Sequence, residues 1–297
     1  MTTTRTSPTA TFVLVSGLGG TSFGWAPLTR ELALQGYRSL ALDLPGHGLD
    51  AVLPLSYQAP QDLPAFATAR SPLADFTLQD YIEHVAVAVR QVARHGPVIL
   101  VGASMGGAII TGVGNTAPEA VSRLVYITAF CCAGLPSMTA YFQTPEAAGS
   151  LLLTIPGLGD PACTGAIRTN PRSADPEFLR SFKAAVAAEC TDEQFRAALN
   201  YGLQPDESFQ ATLGEAQADT ATWGVIPHTY IRATQDRALP LPLQDRMINE
   251  ADALTPDNPF DVHSINASHM GILLLHVSEI AHILTHLDTR PLSGPAH

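Results

Sequence analysis

Six short runs of the chain are rich in apolar and β-branched residues, and most end at a glycine, an aspartate or a small polar side chain. They are "TFVLVS" (11–16), "YRSLALD" (37–43), "PVILVG" (97–102), "LVYITAF" (124–130), "HTYIRAT" (228–234) and "FDVHSI" (260–265). Strict alternation would mark strands with one wet face, whereas near-continuous apolar runs mark strands covered on both faces. Between the runs the period changes. In "TLQDYIEHVAVAVRQVARHG", Ile82, Val85, Ala86, Val89, Val92 and Ala93 fall on one helical face. Thr77 is the predicted N-cap, with Asp80 three residues on and Gly96 as the stop. Ile280, Ile283, Leu284 and Leu287 repeat the pattern near the end of the chain. Strands alternating with helices predict an α/β fold, a mostly parallel central sheet with helices on both faces.

Two stretches break the alternation. Asp50–Leu73 holds four prolines and little periodicity, and is expected to be a long loop after the second strand. Residues 131–222 read as mixed helix and loop, with "DPEFLRSFKAAVAA" and "TDEQFRAALNYGL" as the clearest helices. A long excursion between two sheet strands is expected to form a cap over one edge of the sheet. The predicted division is therefore a core of 1–130 and 223–297, with a helical cap at 131–222 inserted into it.

Composition narrows the class. With 297 residues, 46% of them hydrophobic and 14% charged, the chain can bury a large core. Its net charge of −11, without a basic run, argues against nucleic acid and anionic membrane as partners. No window approaches the roughly 18 apolar residues of a membrane span. The start, "MTTTRTSPTATFVLVSG", lacks the pattern of a signal peptide. Cys131, Cys132, Cys163 and Cys190 have no metal-type spacing, and are read as reduced core or lid residues of a cytoplasmic protein.

One junction carries chemistry. In "PVILVGASMGGAII" a serine, Ser104, stands between Gly102 and Gly106 where a strand ends and a helix begins. A sharp strand-to-helix turn needs small residues two positions before and after the serine, and it lifts the hydroxyl clear of the sheet. It also aims a helix N-terminus at the reacting centre, where the Met105 N–H can donate to an oxyanion. Such a serine needs a base. Of the ten histidines, His84, His95, His282 and His286 fall in predicted helices, and His47 falls in the "LPGHG" turn. His269 follows the last strand and a short loop, at the sheet edge where catalytic groups of open α/β sheets gather. Asp236 follows the strand "HTYIRAT" and stands at the same edge; Asp245, Asp252, Asp257 and Asp261 fit less well. The order Ser104, Asp236, His269 is that expected of an α/β-hydrolase triad.

Nearly the whole chain resembles the α/β-hydrolases, and within them the hydroxynitrile lyase and plant methylesterase-like family with its bacterial esterase relatives. "FVLVSGLGGTSFGW", "LALDLPGHG", "LVYITAF", "TWGVIPHTYIRATQDRALP" and "NASHM" resemble that family's landmarks in order. The resemblance implies Ser104 as nucleophile, Asp236 as acid and His269 as base. It also implies an oxyanion hole of the Leu18 and Met105 N–H groups; acyl transfer to water through such a site is expected to need no metal or organic cofactor. Two departures stand out. Ser16 replaces the histidine that commonly props the family's oxyanion loop, and Asp50–Leu73 looks longer than in the plant members.

The expected activity is hydrolysis of small to medium, largely apolar carboxylic esters. Gly17, Phe130 and Met270 are candidate pocket residues; Leu135, Met138, Tyr141 and Phe142 near the start of the cap join Phe130. A C–C lyase using the same triad and a triad-retaining small-molecule receptor are the other readings. In the family's lyases a lysine follows the catalytic histidine and a threonine stands in the oxyanion loop; here those positions hold Met270 and Gly17. A dehalogenase or epoxide hydrolase needs a carboxylate where Ser104 stands. The sequence leaves the oligomeric state open, a homodimer included.

Overall fold

The computed structural model describes residues 10–288, so the N-terminal reading for residues 1–9 lies outside the described residues. The six apolar runs form one sheet of β1 (Thr11–Val15), β2 (Arg38–Leu42), β3 (Val98–Ser104), β4 (Arg123–Ala129), β7 (His228–Ala233) and β8 (Asp261–Ile265). Their order is β2-β1-β3-β4-β7-β8, and every pairing is parallel. The runs of β1, β3, β4 and β7 are buried nearly throughout because both faces of the central strands are covered, whereas the edge strands β2 and β8 are partly exposed and mix polar with apolar residues. From β1, Val13 and Val15 enter one core with the helices Leu78–Ala93 and Gly106–Thr116. Phe12 and Leu14 enter a second core with Leu28 and Leu32 of Ala26–Leu34 and Ile280 and Leu284 of Val277–Thr285. Each such buried aliphatic side chain contributes about 1.5–3 kcal/mol.

The helix Leu78–Ala93 starts where its caps dictate. Thr77 Oγ1 accepts from Asp80 N at 3.2 Å, while Thr77 N donates to Asp80 Oδ2 at 2.7 Å, a complete capping box. Leu78, Tyr81, Ile82, Val85, Ala86 and Val89 are buried along its inner face. Asp50–Leu73 is less of a loop than its prolines suggest. Leu63–Thr68 is a helix capped by Asp62, with Pro64 in its first turn, where a missing N–H does no harm.

The excursion between β4 and β7 carries the expected helices Pro176–Val186 and Asp192–Gly202. It also holds a two-stranded antiparallel ladder that the sequence reading did not include, β5 (Ala166–Arg168) with β6 (Asp206–Ser208). Arg168 and Asp206, both buried, hold it together with paired bonds of 2.6 and 2.7 Å. Arg168 also donates to the carbonyls of Phe66 and Ala69, tying the ladder to the 63–68 helix. No helix among the described residues is long and apolar enough to cross a membrane.

Candidate active site

The parallel strands all end on one edge, and the sheet order reverses between β1 and β3. Ligands of open α/β sheets settle at such a point. Ser104 ends β3 there with φ +53°, in the left-handed region that non-glycine residues rarely adopt. Its neighbours must be small. A Cβ on Gly102 would lie 2.6 Å from the Gly106 carbonyl oxygen, and one on Gly106 would lie 2.6 Å from the Val15 oxygen. The β3–β4 register slips here: Ala103 faces Ile127, but Ser104 faces Ala129. The skipped residue, Thr128, is itself left-handed at φ +38°. Backbone outliers of this kind cluster at active sites and ligand clamps.

Asp236 follows β7 and is buried. Its Oδ1 accepts from Ala238 N at 2.6 Å and Leu239 N at 2.9 Å; its Oδ2 accepts from Thr128 Oγ1 and pairs with His269 Nδ1 at 2.6 Å. Four donors aimed at two oxygens suit a carboxylate, and the bond to Nδ1 leaves His269 Nε2 free. His269 and Ser104, both partly exposed, line the same cavity. Among the described residues no hydrogen bond joins them. The His269 loop is braced from the excursion: Glu189 Oε1 accepts from Ser268 N at 2.8 Å, and Met270 N donates to the Val186 carbonyl at 2.6 Å.

The loop after β1 closes the other side. A Cβ on Gly17 would stand 2.6 Å from Ser104 Cβ, so the loop passes directly beside the serine. Neither the Leu18 nor the Met105 N–H has a protein acceptor among the described residues. The Ser16 hydroxyl accepts from Trp25 Nε1 at 2.9 Å and donates to the Thr21 carbonyl at 3.2 Å, bracing the loop from within.

The cavity measures about 590 Å³ and its wall is mostly apolar. Of the three pocket candidates, Gly17 and Met270 lie on its wall, together with Leu18, with Phe182, Val186, Ala198, Tyr201 and Leu203 of the excursion, and with Leu273 and Leu274 beyond the His269 loop. Phe130 does not. It is buried against Phe142, and its N–H donates to the Ser104 carbonyl at 3.0 Å, so it packs beneath the turn and not into the cavity. Leu135, Met138, Tyr141 and Phe142 are likewise absent from the cavity wall. The sequence also gave no signal for His47, which is fully buried beside Glu207 at 3.2 Å. Among the described residues no Lys, Arg, Asp or Glu lines the cavity. Among the described residues no three His, Cys, Asp or Glu side chains gather as metal ligands would.

The thiols are poor rivals to Ser104. Cys131, Cys132 and Cys190 are buried. Burial pushes the Cys131 thiol up and that of Cys132 up to about 12, while a hydrogen bond to Asp160 raises Cys163. None of the four is poised as a thiolate nucleophile.

The comparisons with known proteins agree with this architecture. Norfluorocurarine synthase 1 of Strychnos nux-vomica is 25% identical over 271 residues, covering 88% of this chain and 89% of its own. A pyrethroid hydrolase from Sphingobium faniae superposes with a TM-score of 0.70 at 22% identity, over 93% of this chain and 96% of that one. Polyneuridine aldehyde esterase superposes with a TM-score of 0.65 at 20% identity, over 93% and 99%. The sequence pattern of the alpha/beta hydrolase family matches residues 12–281, and the chain belongs to that family.

Proposed function

We propose that this chain is a serine carboxylesterase that cleaves largely apolar esters through an acyl-enzyme. The observation that carries the reading is the 2.6 Å pairing of His269 Nδ1 with buried Asp236, on the cavity wall that also holds the strained Ser104. In the proposed sequence, His269 Nε2 takes the Ser104 proton as Oγ attacks the ester carbonyl. Asp236 holds the imidazole in the tautomer with Nδ1–H and stabilises the imidazolium that forms. The Leu18 and Met105 N–H groups receive the oxyanion, each worth about 10²–10³ in rate. The alcohol departs with the proton from His269. Water then attacks the acyl-enzyme by the reverse route, releasing the acid and restoring the serine. The apolar wall favours an uncharged acyl or alcohol group, and the neighbours named esterase and pyrethroid hydrolase fit that choice.

A lyase that releases cyanide needs a cation near the leaving group, and among the described residues no Lys or Arg lines the cavity wall. Met270 and Gly17 stand at the two positions where the family's lyases place lysine and threonine. The test is a panel of aryl and alkyl esters alongside mandelonitrile, run on wild type and Ser104→Ala. Ester turnover that is lost in Ser104→Ala, with cyanide release at background, is expected. Ser104-dependent cyanide release without ester turnover overturns the proposal in favour of a lyase. Tight, Ser104-independent ester binding with no turnover of either overturns it in favour of a receptor.

A further inference from the structure

Glu207 lies in β6 of the excursion, with no exposed surface. All four of its near contacts are donors. Oε2 accepts from Gly19 N at 2.9 Å and from His47 Nε2 at 3.2 Å; Oε1 accepts from Tyr81 Oη at 2.9 Å and from Ser208 N at 2.9 Å. His47 is equally buried, and its Nδ1 faces the Pro45 carbonyl at 3.1 Å. Both ring nitrogens therefore face pure acceptors, an arrangement that suits the imidazolium. Burial opposes its charge, but the Glu207 carboxylate prevails and raises the His47 pKa. Burial likewise works against the Glu207 charge, and His47 prevails there and lowers it.

A buried ion pair is weak evidence for stability, since desolvation offsets much of the attraction. Its position is more informative. Gly19 is one residue past Leu18, in the loop beside Ser104, and is left-handed at φ +63°. The same loop is zipped to the excursion by Gln204 N to Gly19 O at 2.9 Å and Thr21 N to Gly202 O at 3.0 Å. A bond from Gly20 N to Gly17 O at 2.9 Å closes the turn around the Leu18 peptide. Ser16 holds the inner side through Trp25, and Glu207 holds the outer side, so the loop is fixed without the histidine that Ser16 replaces.

We infer that Glu207 is a positioning residue for acyl transfer: through Gly19 it fixes the Leu18 N–H toward the oxyanion, and His47 and Tyr81 hold Glu207 in place. This rests on the esterase reading. In Glu207→Gln, one oxygen becomes an NH₂ that cannot accept, so either the Gly19 or the Tyr81 side loses its acceptor. Tyr81→Phe removes a single bond and leaves the Gly19 contact in place.

The experiment compares wild type, Glu207→Gln, Tyr81→Phe and Ser104→Ala in kcat, KM, melting temperature and affinity for two probes. One probe is an arylboronic acid, whose boron bonds to Ser104 Oγ as the serine proton passes to His269, giving a tetrahedral anionic boronate with one of its hydroxyl oxygens where the oxyanion forms. The other is the matching aryl amide, a ground-state analogue. Glu207→Gln is expected to lower kcat about 10–100-fold with KM within threefold. Boronate affinity should fall in parallel, while amide affinity stays unchanged. Tyr81→Phe should show the same pattern at about threefold to tenfold, and it decides the matter if Glu207→Gln does not fold. A lower melting temperature with kcat and boronate affinity unchanged, or equal loss of both probes, makes the network structural only and overturns the inference. Wild type without Ser104-dependent turnover or boronate binding overturns the esterase reading, and the inference with it.

Discussion

Gly17→Ala puts one methyl between the oxyanion loop and Ser104. The built Cβ would lie 2.6 Å from Ser104 Cβ, 3.1 Å from the Ala103 oxygen and 3.2 Å from Ser104 Oγ. Ordinary carbon–carbon contact is about 3.5–4.0 Å, so the methyl is roughly 1 Å too close. The Gly17 backbone is not left-handed, so alanine adds no φ strain and the effect is steric alone. Ser104 cannot retreat, because Gly102 and Gly106 are packed against backbone on both sides. The loop must move, and a shift of about 1 Å takes the Leu18 N–H outside the roughly 2.7–3.2 Å range of a good hydrogen bond. In the proposed mechanism Leu18 N–H is an oxyanion donor, and its loss lowers kcat about 10²–10³-fold, or roughly 3–4 kcal/mol. Overpacking costs about 1–3 kcal/mol of stability, a fall in Tm on the order of 2–10 °C. Steady-state hydrolysis of a p-nitrophenyl ester, with Tm by calorimetry, checks this. A kcat within threefold of wild type would refute the placement of the loop against the serine.

Three further outcomes follow from the geometry. Asp236→Asn presents an amide to His269 Nδ1 and favours the wrong tautomer, so kcat on the same ester should fall on the order of 10⁴-fold with little change in KM; a loss under tenfold contradicts the orienting role. His228 is buried against Trp223 and Phe260, and burial lowers its pKa from 6.5 to about 4. The unfolded chain binds the extra proton between those values, so stability contributed here is complete above about pH 6.5 and falls by about 3 kcal/mol as pH drops to 4. Urea midpoints of His228→Gln should lose less than those of wild type over that window; parallel losses contradict the assignment. Iodoacetamide should label the exposed Cys163 while esterase activity survives, because the other three thiols are buried; inactivation that persists in Cys163→Ser contradicts this.

The sheet was legible because its four central strands show apolar runs and its edge strands β2 and β8 still carry five-residue stretches with β-branched or aliphatic residues between turn signals. Ser104 was legible because its turn requires small residues at two fixed positions, which a sequence displays directly. Asp236 and His269 were legible because each follows a strand at the same sheet edge. What stayed hidden depends on partners far along the chain. β5 and β6 span three residues each, too few for any period. Arg168 meets Asp206 across 38 residues, and His47 meets Glu207 across 160. Phe130 looked like a pocket residue because it stands just before the excursion, but its N–H bonds to the Ser104 carbonyl and its ring packs beneath that turn. The helix at 63–68 did carry a signal, Asp62 as cap with Pro64 in the first turn, which the density of prolines masked.

The central claim is that Ser104 is the nucleophile, and active-site phosphonylation tests it most directly. An aryl phosphonate ester should add one equivalent per chain, abolish ester hydrolysis in proportion to the mass adduct, and map to the peptide containing Ser104. Ser104→Ala should take up no label and lose about 10⁶ in kcat. Stoichiometric label on another residue, or ester hydrolysis that persists in Ser104→Ala, would contradict the account.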